Sequence, residues 1–247
     1  MNSFAEPIMV SMSKHKISRR EFVAGTGVAA AGFILGFTTR PLVPSTIIPP
    51  NNPANPSEAL HLLLQGNQRF VSGSQIHPDQ SVADRRAELA TEQAPWAMVL
   101  GCMDSRVPPE VVFDLGLGDI FATRTAGQVI DDVVLGSIEY GVEEGVKLVM
   151  VLGHQNCGAV KATIKTMESN GHADGHIAAL VDAITPAVEQ AKNLPGDLLD
   201  NSVRANIVLQ IESLKKNEII SHALDLGAIN LVGARYDLQT GQVEVIT

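Results

Sequence analysis

The chain is poor in cysteine: two among 247 residues, Cys102 and Cys157, which leaves room for one disulfide at most. Aromatic residues are scarce too, at 4%, with a single tryptophan and two tyrosines, so no aromatic stripe offers itself to the bases of a nucleic acid. Positive charge is short: 18 Lys and Arg face 27 Asp and Glu, a net −9. Residues 1–40 hold five of those bases and two of the acids, leaving 13 against 25 for the rest. Such an acidic body repels nucleic acid at neutral pH. No internal repeat is visible. The apolar run over residues 23–37 is too short for a confident membrane span.

What remains is concentrated in two stretches, Cys102-Met103-Asp104-Ser105-Arg106 and His154-Gln155-Asn156-Cys157. Two thiolates and one imidazole form the ligand set of a catalytic zinc site, with the fourth tetrahedral position left for water. Asp104 can accept that water's proton, and Arg106 can hold Asp104. A disulfide or a pair of inert buried thiols would need none of these neighbours. The spacing also works in three dimensions. Cys102 follows the apolar run 96–101 and His154 follows 146–153, each with the composition of a strand buried on both faces. Parallel neighbours would open both carboxyl ends onto one sheet edge, where open α/β folds bind ligands.

Strands are expected at 97–101, 120–125, 146–153 and 229–235, with a last strand at 243–246 behind the turn Gln239-Thr240-Gly241-Gln242. Helices are expected from a Ser57 cap to Gly73, then over 84–91, 132–143, from near Gly158, over 177–192 and over 200–216. The alternation predicts an α/β fold: a mostly parallel central sheet flanked by helices, with an antiparallel edge hairpin. Upstream, Lys14-His15-Lys16-Ile17-Ser18-Arg19-Arg20 followed by the run 23–37 reads as a twin-arginine export signal, then a Pro/Asn-rich linker. The expected organisation is signal or anchor 1–40, linker 41–56 and catalytic domain 57–247. Export to the periplasm, or to a thylakoid lumen, follows. The membrane enters only if the signal is retained as an anchor.

The chain resembles the β-class carbonic anhydrases from about Ser57 to its end. The resemblance rests on Leu100-Gly101-Cys102-Met103-Asp104-Ser105-Arg106-Val107-Pro108-Pro109-Glu110, Arg124-Thr125-Ala126-Gly127, Gly136-Ser137-Ile138-Glu139-Tyr140-Gly141, Gly153-His154-Gln155-Asn156-Cys157-Gly158 and Val232-Gly233-Ala234-Arg235-Tyr236-Asp237. Gln128 departs from the family, which usually has Asn there. The resemblance implies reversible hydration of CO2 to bicarbonate by a zinc-bound hydroxide that Asp104 and Arg106 orient. It further implies a substrate pocket of Gln93, Phe121, Ala126, Tyr140 and Gly158, lying at the interface of a homodimer or higher even oligomer. From the sequence alone, Phe121 and Tyr140 would equally be core residues. Some relatives swing the motif Asp onto zinc, and many of those carry a tryptophan where this chain has Val99. Asp104 is therefore expected as a zinc ligand in a closed form only. Hydrolysis of carbon disulfide or carbonyl sulfide, and a silent zinc-binding scaffold, are the alternatives.

Overall fold

The computed structural model describes residues 52–78 and 83–247. The expected signal, 1–40, and most of the linker lie outside the described residues. Helix α1 (Pro56–Ser72) starts on Asn55, whose side chain accepts from Glu58 N, while Pro56 fills the first turn with its pre-set φ. Asn55, rather than Ser57, is thus the cap. Gly73, in the left-handed region at φ 68, closes the helix. The short helix α2 (Ala83–Glu88) leads to strand β1 (Ala97–Cys102), then α3 (Pro109–Val112) and β2 (Ile120–Thr125). After a 3₁₀ turn at Ala126–Gln128 come α4 (Asp132–Glu143), β3 (Leu148–His154), α5 (Gly158–Glu168), α6 (Ile177–Ala191) and α7 (Leu198–Leu214). Helix α8 (Glu218–Asp225), capped by Asn217, precedes β4 (Asn230–Tyr236) and β5 (Val243–Val245).

The sheet runs β2-β1-β3-β4-β5. Its first four strands are parallel and β5 is antiparallel, as the alternation and the terminal turn predict. Strand β1 lies directly beside β3, with Gly101 opposite Leu152, so Cys102 and His154 end on the same edge. Every residue of β1 and β3 is buried, because helices cover both faces. Alternation divides the core. Met98, Leu100, Val149 and Val151 pack with Ile138, Val160, Ile184, Val203 and Ile207 of the crossover helices. Ala97, Val99, Leu148, Met150 and Leu152 pack against Ala59 and Leu63 of α1 and Phe113. No helix among the described residues is long and apolar enough to cross a membrane.

Candidate metal centre

Three side chains converge at the carboxyl edge of the sheet. Cys102 ends β1, His154 ends β3, and Cys157 caps α5 after the left-handed Asn156, φ 56. Their ligand atoms all lie within 4.8 Å of one another, and all three residues are buried. The sulfurs stand 4.0 Å apart. His154 Nδ1 lies 2.9 Å from the carbonyl of Gln155; because a carbonyl only accepts, Nδ1 carries the proton and Nε2 presents its lone pair. That Nε2 is buried with no hydrogen-bond partner. A buried acceptor left open beside two thiols is costly unless a ligand completes it. The donor set of two sulfurs and one imidazole suits zinc.

The titration of the two thiols supports that fit. Cys102 is held down to about 4, first by the hydrogen bond from the Cys157 thiol, against burial, with help from His154 and the Gly127 amide. Cys157 is pushed up, because its proton serves the Cys102 thiolate and a second buried charge would be unpaired. The imidazole is raised: burial opposes its charge, and the nearby Cys102 thiolate, the Gln155 carbonyl and Asp104 together outweigh burial. One divalent cation can replace all of these shared protons.

Beside the centre, Arg106 grips Asp104 with two parallel bonds, Nε to Oδ1 at 2.9 Å and Nη2 to Oδ2 at 2.7 Å, and its backbone N–H adds a third at 3.0 Å. These bonds, Arg106 first, hold the Asp104 carboxyl far below the usual carboxylate range. Asp104 Oδ2 lies 3.8 Å from His154 Nε2, so the carboxylate borders the same volume as the three ligands. Arg124 donates to the carbonyls of Cys102 at 3.0 Å and of Asp104 at 2.5 Å, bracing the loop that carries the pair. No role for Arg124 follows from the sequence; its place in the Arg124-Thr125-Ala126-Gly127 motif was the available signal, and the structure sets it in register with Gly101.

The expected pocket residues divide into two groups. Gly158 opens α5 beside Cys157, is exposed, and a Cβ there would meet nothing within 4 Å, so space is left next to the ligands. Ala126 follows Thr125, the register partner of Cys102. Phe121 lies four residues earlier on β2, about 13 Å along the strand. Its ring meets Tyr140 at 6.1 Å between centroids. Tyr140 is half exposed, with Glu144 close enough to raise its pKa and Gln93 nearby. Gln93, Phe121 and Tyr140 therefore form their own cluster toward the amino end of the strands. Among the described residues, no hydrogen bond joins Gln93 to Cys102, Asp104, His154 or Cys157.

Comparison with known proteins gives a consistent family. The carbonic anhydrase family model matches residues 97–243. A carbonic anhydrase of Mycolicibacterium smegmatis is 41% identical over 194 residues, covering 78% of this chain and 94% of its own length. Among solved structures, the β-carbonic anhydrase CcaA superposes with a TM-score of 0.60 at 27% identity, covering 76% of this chain and 95% of its own. A tetrameric β-carbonic anhydrase of Sordaria macrospora also reaches 0.60, at 22% identity, covering 76% of this chain and 96% of its own.

Proposed function

The chain belongs to the carbonic anhydrase family, in its β class, and is a zinc enzyme of CO2 hydration; we propose that Asp104 and Arg106 carry the proton handling at its metal centre. The observation that carries this is the buried, unpartnered Nε2 of His154 beside two cysteine sulfurs and a bidentate Asp–Arg pair. Cys102, His154 and Cys157 hold the zinc, which supplies the Lewis acidity that makes water a nucleophile near neutral pH. Asp104 is an ionised, acceptor-only group bordering that volume. It takes a hydrogen bond from the attacking water and turns the water's lone pair toward the CO2 carbon. Arg106 keeps Asp104 ionised and keeps it from turning to the metal; with that grip intact, Asp104 is a ligand only in a closed form. The open space at Gly158 admits the linear substrate.

Gln93, Phe121 and Tyr140 serve the pocket of a second subunit. Their half-exposed cluster, set apart from the ligands of its own chain, supports this reading. A dimer or higher even oligomer then completes each site, and bicarbonate or CO2 accepts the Gln93 amide. Co-expression of two inactive chains, Gln93→Ala and Asp104→Asn, tests both readings. Mixed dimers hold one site with every residue intact and should recover a substantial fraction of stopped-flow CO2 hydration. Absence of recovery in isolated mixed dimers would place Gln93 in service of its own chain.

The leader is proposed as a twin-arginine address, read by a receptor rather than by charge alone. Changing Arg19-Arg20 to Lys-Lys should trap active enzyme in the cytoplasm, whereas the unaltered chain fractionates outside the cytoplasmic membrane. Equal export of both forms would mean that the pair is not the address.

A further inference from the structure

The N–H of Gly127 points at the sulfur of Cys102, with N to Sγ 3.4 Å in a buried setting. Gly127 is left-handed, φ 68 and ψ 21, and a Cβ there would lie 2.8 Å from Ile184 Cδ1 and 3.1 Å from the Ala159 Cβ. Conformation and packing both require glycine, and a glycine's peptide planes need an external anchor to stay oriented. That anchor comes from α7. The Gly127 carbonyl accepts from Asn206 Nδ2 at 2.8 Å. Asn206 is fully buried, and its own Oδ1 accepts from Gln210 Nε2, one turn on, at 3.2 Å. The two carboxamides sit on the same buried side of α7 as Val203, Ile207 and Ile211, where apolar residues would pack more cheaply. Their bonds run in one direction, from Gln210 through Asn206 and the Gly127 backbone to the sulfur.

We infer that Asn206 is a positioning residue for the metal centre: it fixes the Gly127 backbone so that its N–H donates to the Cys102 thiolate, and Gln210 fixes Asn206. The inference rests on Cys102 being a zinc ligand. A hydrogen bond to a ligating sulfur draws electron density away from the metal, which leaves the metal more acidic. Two thiolates make this centre electron-rich, so the donor offsets part of what the second sulfur gives.

The test uses the full-length enzyme with cobalt(II) in place of zinc and reads the thiolate-to-cobalt charge-transfer absorption. Asn206→Ala should bind about one cobalt per chain and move the band to longer wavelength, because a sulfur that loses its donor gives up an electron more readily. Gln210→Met should shift the band the same way by less, and it decides the matter if Asn206→Ala fails to fold. Ile211→Val, a core change on the same helix that touches none of these bonds, should lower the melting temperature without moving the band. An unmoved band in cobalt-loaded Asn206→Ala or Gln210→Met, or an equal shift in Ile211→Val, would overturn the inference, because Asn206 would then only fasten a loop. If the unaltered protein shows no thiolate-to-cobalt band at all, the assignment of Cys102 as a ligand fails, and this inference fails with it.

Discussion

Two neighbouring regions of the same sheet, the carboxyl ends of β1 and β3 and the outer pair β4–β5, handle polar groups in opposite ways. At the β4–β5 edge every buried charge has an answer: Arg235 bonds Asp200 at 2.7 Å and Asp237 at 3.4 Å, and Arg204 joins Asp200 at 2.9 Å to Glu244 at 3.1 and 2.7 Å. At the metal edge the accounting is left open. Of the four buried side-chain polar atoms without a partner among the described residues, one is His154 Nε2, and two belong to Gln155 and Gln128, next in sequence to His154 and Gly127. The fourth, Trp96 Nε1, lies before the amino end of β1, away from the ligands, so three of the four gather where a ligand can complete them.

The largest effects should come from the open edge. Cys102→Ser, His154→Ala and Cys157→Ser should each lose zinc by metal analysis and drop CO2 hydration to background. Full occupancy and rate in any one of them would remove that residue from the set. Arg106→Ala should keep its zinc while hydration falls on the order of 10²-fold, since Asp104 then loses the bonds that orient it. A rate within a factor of two would make the pair structural.

Smaller effects should mark the closed edge, and they should be thermal rather than catalytic. Asp200→Ala leaves Arg235, one-tenth exposed at its side chain, without its main partner. It should cost about 2–3 kcal/mol, a fall in melting temperature of roughly 5–10 °C, with zinc content and turnover unchanged. A parallel loss of turnover would erase the distinction between the edges. The pH dependence is gentler still. In Asp200, burial opposes the charge and the bonds from Arg204 and Arg235 prevail, so its folded pKa lies below the unfolded value of about 3.9. Its contribution is therefore present above about pH 4 and fades as pH falls through the folded pKa. Asp200→Asn should show a shallower loss of denaturant midpoint between pH 5 and pH 3 than the unaltered chain.

The open edge was the more legible of the two. Cysteine and histidine after two long apolar runs can be read without a structure, because buried parallel strands announce themselves and the carboxyl-edge rule brings their ends together. The four-residue α3 and the 3₁₀ turn are too short to show periodicity, and α8 is only eight residues long. The Ser57 assignment failed because Asn55 and Pro56 together make a stronger start than serine alone. Asn206 and Gln210 escaped for another reason: carboxamides in an amphipathic helix look like a solvated face, and only the contact with Gly127 shows them turned inward. Gln93 shows the converse, since a family role carried over by position says nothing of which subunit it serves.

The central claim is that an anionic acceptor, held by Arg106 beside three metal ligands, does the proton work at this edge. Asp104→Asn keeps the shape and the zinc ligands, and removes the charge and one of the two acceptor oxygens that Arg106 holds. Stopped-flow CO2 hydration by this variant, with zinc counted on the same sample, should show about one zinc per chain and a rate lowered on the order of 10²–10⁴-fold. Near-normal turnover with zinc in place would contradict the account.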